Sequence, residues 1–220
     1  AAFIIKHIPR LKDGSVLAIT SKIVALAEGR VADIKQKEKI IRAESTWAQK
    51  TKCVWLTMKD GMILANAGVD ASNADGKLVL LPKDSFSSAS SLRQKLRKHF
   101  KLKKLGILIT DSRVMPLRAG VTGLALGYAG FKGLRDYRGK SDIFGRKLKF
   151  TQTDVADSLA TTATLVMGEG AECQPLCIIE DAPVEFVEKV NRREVQISPK
   201  EDMYAPLFKR VGRNRGSRRG

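Results

Sequence analysis

Residues 105–113 read LGILITDSR. The first six are apolar and β-branched without a helical period, so they read as a buried strand. Asp111 and Ser112 follow where the apolar run stops. A carboxylate and a hydroxyl carried by a strand whose backbone is fixed in a core project from a rigid support. Downstream, residues 111–150 are rich in Gly and Arg and contain TGLALGYAGF and then DYRGKSDIFGR. Glycine at this density marks turns or close backbone approach, and the stretch is expected to be a long functional loop. Thr153 to Gly168 carries the clearest helical spacing, with Thr153 as its cap and Gly168 as its end, and PLCII (175–179) reads as a strand.

Upstream, Ser85 to Phe100 is an amphipathic helix, and LVLLP before it is a strand. CVWLTM and MILAN flank Lys59-Asp60-Gly61, a hairpin signal. Glu38 to Lys50 favours helix by composition, and RVADI is a strand. Ser21 fits the N-cap of a short helix, KIVALAE, closed by Gly29. SVLAIT (15–20) is a strand, and residues 3–10 form a helix. Strands and helices mix without strict alternation, which predicts an α+β fold with mixed and antiparallel sheets and flanking helices. Residues 1–208 are expected to form one domain and residues 209–220 a basic C-terminal tail.

Composition narrows the function. Forty Lys and Arg against 23 Asp and Glu give a net charge of +17, which attracts polyanions such as nucleotide phosphates, nucleic acid or acidic small molecules. The basic run at residues 92–104 reads as a solvated helix face. The three cysteines suggest free thiols in a reducing cytoplasm, not a disulfide framework or a zinc site. No apolar run is long enough to span a membrane. GLRDYRGKS (133–141) places five residues between its glycines where a phosphate-binding P-loop needs four.

Three acidic patches remain: NAGVDASN (66–73) with Asp70 and Asn73, ILITDSR with Asp111 and Ser112, and LVMGEGAE (165–172) with Glu169. Hard oxygen donors at the ends of regular elements suit Mg²⁺ or Mn²⁺. From spacing alone, the simpler reading is better: Asp70 and Asp111 cap turns, and Glu169 is an exposed loop residue.

Taken in this order, NAGVDASN, KLVLLPKDSFSSASSLRQKL, GILITDS, DYRGKSDIFGR and TDVADSLATTATLVMGEGAE resemble the coenzyme F(420)-0:L-glutamate ligase (CofE) family, and SKIVALAEGRV resembles its first helix and turn. The resemblance runs from about residue 14 to 180. It implies the family's α+β fold, a homodimer, and a GTP- and divalent-metal-dependent ligase that adds L-glutamate by an amide bond to a coenzyme F(420) precursor. It implies Asp70, Asp111, Ser112 and Glu169 as Mg²⁺ or Mn²⁺ ligands, with Asp70 and Asp111 catalytic, Asn73 on the nucleotide, and a monovalent cation as a further cofactor. Lys22, Arg118, Arg138 and Arg146 are the basic residues expected to meet phosphates or substrate carboxylates. Three departures stand out: the family's early Leu-Pro segment, which contacts GTP, is expected to precede residue 1, Leu26 replaces a nucleotide-contacting lysine, and TDSRVMPLR lacks the family's Phe-Gly-Arg, leaving Arg113 or Arg118 to supply the charge. Two alternatives stay open. One is the same chemistry on folate, the choice between GTP and ATP staying open separately. The other is a non-catalytic RNA-binding protein using the basic tail. The expected location is the cytoplasm, with no membrane partner.

Overall fold

The computed structural model describes residues 1–208, so the basic tail at 209–220 lies outside the described residues. The chain begins with α1 (Ala2–His7), β1 (Ser15–Thr20) and α2 (Ser21–Ala27), followed by β2 (Val31–Asp33) and α3 (Lys37–Ala43). Next come three short strands, β3 (Trp47–Lys50), β4 (Trp55–Lys59) and β5 (Met62–Ala65), and then β6 (Lys77–Val79). The second half runs α4 (Ser85–Phe100), β7 (Leu105–Val114), β8 (Val121–Ala129), β9 (Leu134–Asp136), β10 (Gln152–Asp154), α5 (Val155–Met167) and β11 (Leu176–Ile179).

The central sheet has the order β11-β1-β7-β8. β1 and β7 are parallel, and both outer pairings are antiparallel. Its side chains obey the two-residue period of a pleated strand. Leu17, Ile19, Ile107, Ile109, Leu124 and Leu126 point to one face, where they meet α1 and α4. Val16, Ala18, Leu108 and Ala125 point to the other, where they meet Ala156, Leu159, Ala160 and Ala163 of α5. A sheet buried on both faces explains why LGILIT is apolar throughout. Around it sit the antiparallel meander β3-β4-β5 and the pairs β2-β6 and β9-β10. The architecture is α+β, as expected.

TGLALGYAGF is not a loop. It is β8, an almost wholly buried strand. Its glycines are there for packing: a Cβ on Gly123 would overlap the backbone of Ala160, and one on Gly127 would lie 2.5 Å from the carbonyl carbon of Ser85. Each glycine lets a helix press directly onto the strand, α5 from one side and the start of α4 from the other. A bulge at Leu126 shifts the register, pairing Gly127 with Ile109 and Ala125 with Thr110.

Other expectations also change. β7 runs on to Val114, so Asp111 and Ser112 lie inside a paired strand and not at its end. The region from Glu38 splits into α3 and β3, because Trp47–Lys50 pairs with Trp55–Met58. Thr20 and Asp154, not Ser21 and Thr153, occupy the N-cap positions of α2 and α5. Asp154 accepts the Asp157 N–H at 2.8 Å, a bond that a carboxylate makes well at this position. Arg93 leaves the solvated face of the basic run and is buried, donating to the Leu105 carbonyl at 2.8 Å and pairing with Glu188.

Candidate active site

β1 and β7 are parallel and in register from Ser15–Leu105 to Thr20–Thr110, where β1 ends and β7 runs on paired only with β8. Crevices beyond the carboxyl ends of parallel strands are where such sheets take ligands. Here the next residues are Ser21 and Lys22 on one side, and Asp111 and Ser112 on the other.

The loop carrying Asp70 is shaped by Thr57 and Asn66. Asn66, Ala67 and Gly68 all have positive φ (54°, 55° and 71°), a costly run for non-glycine residues. The buried Thr57 hydroxyl accepts the Ala67 N–H at 2.8 Å, and Asn66 accepts the Trp55 N–H at 2.9 Å. A Cβ on Gly68 would sit 2.5 Å from Leu81. Strain held this firmly is characteristic of a functional loop. Beyond the turn, Asp70 forms a backbone bridge with Val79.

The three acidic patches meet in a chain of contacts. Lys22 Nζ lies 2.7 Å from Asp70 Oδ2 and also donates to the Ser72 carbonyl at 2.7 Å. Asp70 accepts from the Ser72 hydroxyl and N–H at 2.5 and 2.9 Å. Asp111 accepts from the Ser21 side chain and, at 2.8 Å, from the Ser112 N–H. The Ser112 hydroxyl lies 2.5 Å from Glu169 Oε1. Asn73 donates to the Gly170 carbonyl at 3.1 Å, tying the first patch to the third.

The charges explain one another. Burial pushes the Asp111 carboxyl up to about 6, against the Ser112 N–H and the Ser21 side chain, and the negative charge of Asp70 adds to the rise. For Asp70, burial is outweighed by Lys22 and the two Ser72 bonds, so its carboxyl stays below the usual range. The carboxylates thus repel, and a cation stabilises the ionised pair. Among the described residues, no group of three or more His, Cys, Asp and Glu side chains stands close enough to hold a metal ion as arranged. The expected donors (Asp70, Asp111, Ser112 and Glu169) are all hard oxygens on neighbouring segments, Ser112 meeting Glu169 directly and the Lys22 ammonium sitting against Asp70. That chemistry fits Mg²⁺ or Mn²⁺.

The other expected residues lie apart. Arg118 is exposed in the turn between β7 and β8. Arg138 is paired with Asp136 at 2.5 Å, and Arg146 lies in the turn where its N–H meets Asp142. Among the described residues, none of the three makes a hydrogen bond or ion pair with the acidic patches. Leu26 is exposed on α2. Arg113 does not reach the cluster either; it crosses to α5, with Nη2 2.8 Å from Asp157.

Residues 1–181 match the F(420)-0:gamma-glutamyl ligase family. The chain belongs to that family. The coenzyme F(420):L-glutamate ligase of Methanocaldococcus jannaschii is 34% identical over 214 residues, covering 87% of this chain and 84% of that protein. The protein of the same name from Methanopyrus kandleri is 34% identical over 228 residues, covering 92% and 90%. That from Methanococcus maripaludis strain C6 is 41% identical over 146 residues, 66% of this chain, and there the match spans 58% of the relative's length. The matched range contains every residue of the gamma-glutamyl ligase motifs quoted above.

Ser21 and Ser72 were not visible as site residues in the sequence. Ser21 sat where a helix cap was expected. The Asp-x-Ser spacing of Asp70 and Ser72 was the available signal, since an Asp side chain commonly accepts the N–H two residues on. Asp154 and Asp157 were masked by an ordinary helix start.

Proposed function

We propose that this protein is a GTP- and divalent-metal-dependent ligase that joins L-glutamate through an amide bond to a coenzyme F(420) precursor. The observation that carries the reading is the convergence of three separate acidic patches where the parallel pairing of β1 and β7 stops, in a member of a family named for that ligation. A carboxylate is a poor electrophile, and transfer of a phosphoryl group to it turns it into an acyl phosphate that an amine can attack. Bound to Asp70, Asp111, Ser112 and Glu169, Mg²⁺ or Mn²⁺ would supply the positive charge that phosphate oxygens need.

The chain's own residues do the rest. Asp70 and Asp111 are held by Lys22, Ser72, Ser21 and the Ser112 N–H, so their oxygens are oriented before substrate arrives. Lys22 stands beside both carboxylates and can turn toward a nucleotide phosphate, a role that Leu26 on the same helix cannot fill. Asn73 joins the Asp70 loop to the Glu169 loop, so anything held by one is positioned against the other. A groove of about 1260 Å³, lined by Leu56, Ile63, Phe86, Met115, Leu126 and Val195 among others, offers apolar walls for the flat ring system of the acceptor. The active species is a homodimer, which light scattering tests directly.

The function is tested by incubating the protein with L-glutamate, Mn²⁺, GTP or ATP, and either a deazaflavin precursor or folate, then weighing the products. Expected is a deazaflavin product heavier by one glutamyl residue, formed with GTP. Glutamylation of folate alone would replace the acceptor, and no ligation with any pairing would defeat the ligase reading.

A further inference from the structure

We propose that the recess bounded by Arg113, Asp154 and Asp157 binds the amino-acid co-substrate, gripping its carboxylate with Arg113 and its ammonium with the two aspartates; this rests on the ligase reading above. Along β7, Ser112 reaches Glu169, whereas Arg113 crosses to α5. Asp157 holds Arg113 with Oδ2 and accepts the Ala125 N–H with Oδ1 at 2.9 Å, so the guanidinium is anchored between strand and helix. Arg113 Nε is buried with no hydrogen-bond partner among the described residues. Buried donors are rarely left unpaired, and an orphan one marks a place where a ligand or water completes the network.

The recess has a volume of about 590 Å³, in the range of small-molecule sites, and its walls include Thr122, Gln152 and Ser158 besides the three charged residues. It shares Arg113, Met115, Asp154 and Asp157 with the large apolar groove, so the two are continuous. The wall chemistry selects the ligand class. Two carboxylates against one guanidinium leave one uncompensated negative charge, which repels a nucleotide phosphate and welcomes an ammonium. The guanidinium keeps donors for a carboxylate. Hydroxyl and amide groups complete a polar lining poorly suited to an aromatic ring, which the apolar groove accommodates instead. A zwitterion satisfies all of these at once. The recess opens into the groove proposed for the acceptor, so a bound amine would share that groove with it.

The test compares Arg113→Gln, Arg113→Lys and Asp154→Asn with the parent. Expected is a rise of tenfold or more in KM for L-glutamate in Arg113→Gln and Asp154→Asn, with KM for nucleotide and acceptor changed less than twofold. Arg113→Lys should recover part of the loss. An unchanged glutamate KM, or an equal rise in all three constants, overturns the assignment. If Arg113→Gln does not fold, Asp154→Asn decides, because asparagine still caps α5. If the parent ligates nothing, the ligase reading fails by itself, and calorimetric titration of L-glutamate into the parent and Asp154→Asn decides the recess. Binding that weakens in the variant supports it, and absence of binding to the parent overturns it.

Discussion

Asp111 and Asp154 are two carboxyls with the same upward shift and different consequences. Asp111 is pushed up by burial and by the negative charge of Asp70, and the proposed reaction depends on its ionised form. Asparagine has nearly the same shape and can still meet Ser21 and the Ser112 N–H, so Asp111→Asn should melt at or above the parent at neutral pH. It removes a negative charge from the proposed cation site, a loss of about 3 kcal/mol of transition-state stabilisation or roughly a hundredfold in rate. The readout is phosphate release coupled to glutamate incorporation, beside a thermal melt; a normally folded variant ligating at the parent's rate would remove Asp111 from the mechanism. Asp154 is pushed up to about 6 chiefly by burial, with the charge of Asp157 adding to it. Its folded-state value is above its unfolded one, so the stability linked to this group is fully present below about pH 4 and is lost as pH rises through about 6. Asp154→Asn keeps the cap and removes the titration. The variant should therefore be more stable than the parent at pH 8 by about 1–3 kcal/mol, and the gap should close toward pH 4. Chemical denaturation across that range checks the sign; a variant less stable than the parent at pH 8 would mean that the carboxylate is compensated.

At the scale of elements, the helix and strand patterns that depend on local spacing were legible, and those that depend on a partner were not. α4 falls where the amphipathic spacing of Ser85 to Phe100 puts it, capped by Asp84, and β1 coincides with SVLAIT. β8 was misread because glycine spacing alone does not say whether a chain turns or is pressed by a neighbour. The cause lies in α5, some thirty residues later, whose Ala160 occupies the space that a side chain on Gly123 would need. The same logic hid β3, which exists only because β4 pairs with it. The acidic patches were visible as three fragments, but their meeting follows from the parallel pairing of β1 and β7, which no local pattern announces. Gly123→Ala tests the packing account. A single methyl group wedged between β8 and α5 should cost about 1–3 kcal/mol. At roughly 2–4 °C per kcal/mol for a chain of this size, the melting temperature should fall by several degrees. A melt unchanged from the parent would show that the helix can move away freely.

Across the whole molecule, the segment after β11 does what the family motifs do not: it returns over the sheet and walls the large groove. Val187 donates to the Gly130 carbonyl at 3.0 Å, Lys132 donates to Glu185 at 2.9 Å, and Phe131 bridges Phe186. Glu194 accepts from the Tyr128 hydroxyl at 2.7 Å and from the Gly133 N–H at 2.6 Å. Further on, Val195, Ile197 and Tyr204 line the groove. The segment is pinned to α4 by Glu188, whose oxygens lie 3.0 and 3.1 Å from Arg93 and also meet Arg97 at 2.9 Å. The Arg93 side chain is only 10% exposed, whereas that of Glu188 is 70% exposed. Removing the acid therefore leaves a desolvated guanidinium that keeps only the Leu105 carbonyl. A buried charge stripped of its partner is strongly destabilising, but solvent around Glu188 screens this pair, so Glu188→Ala should cost about 1–3 kcal/mol. Hydrogen exchange should quicken between residues 184 and 197 while β7 and α5 keep their protection. Replacing Arg93 with Met in the same chain removes the stranded charge and fills its space with an apolar side chain. The double variant should regain part of the lost stability yet keep the fast exchange, because the tether is still missing. Recovery of both would show that the segment is held by its apolar contacts alone, and recovery of neither would show that Arg93 serves the Leu105 carbonyl more than it serves Glu188.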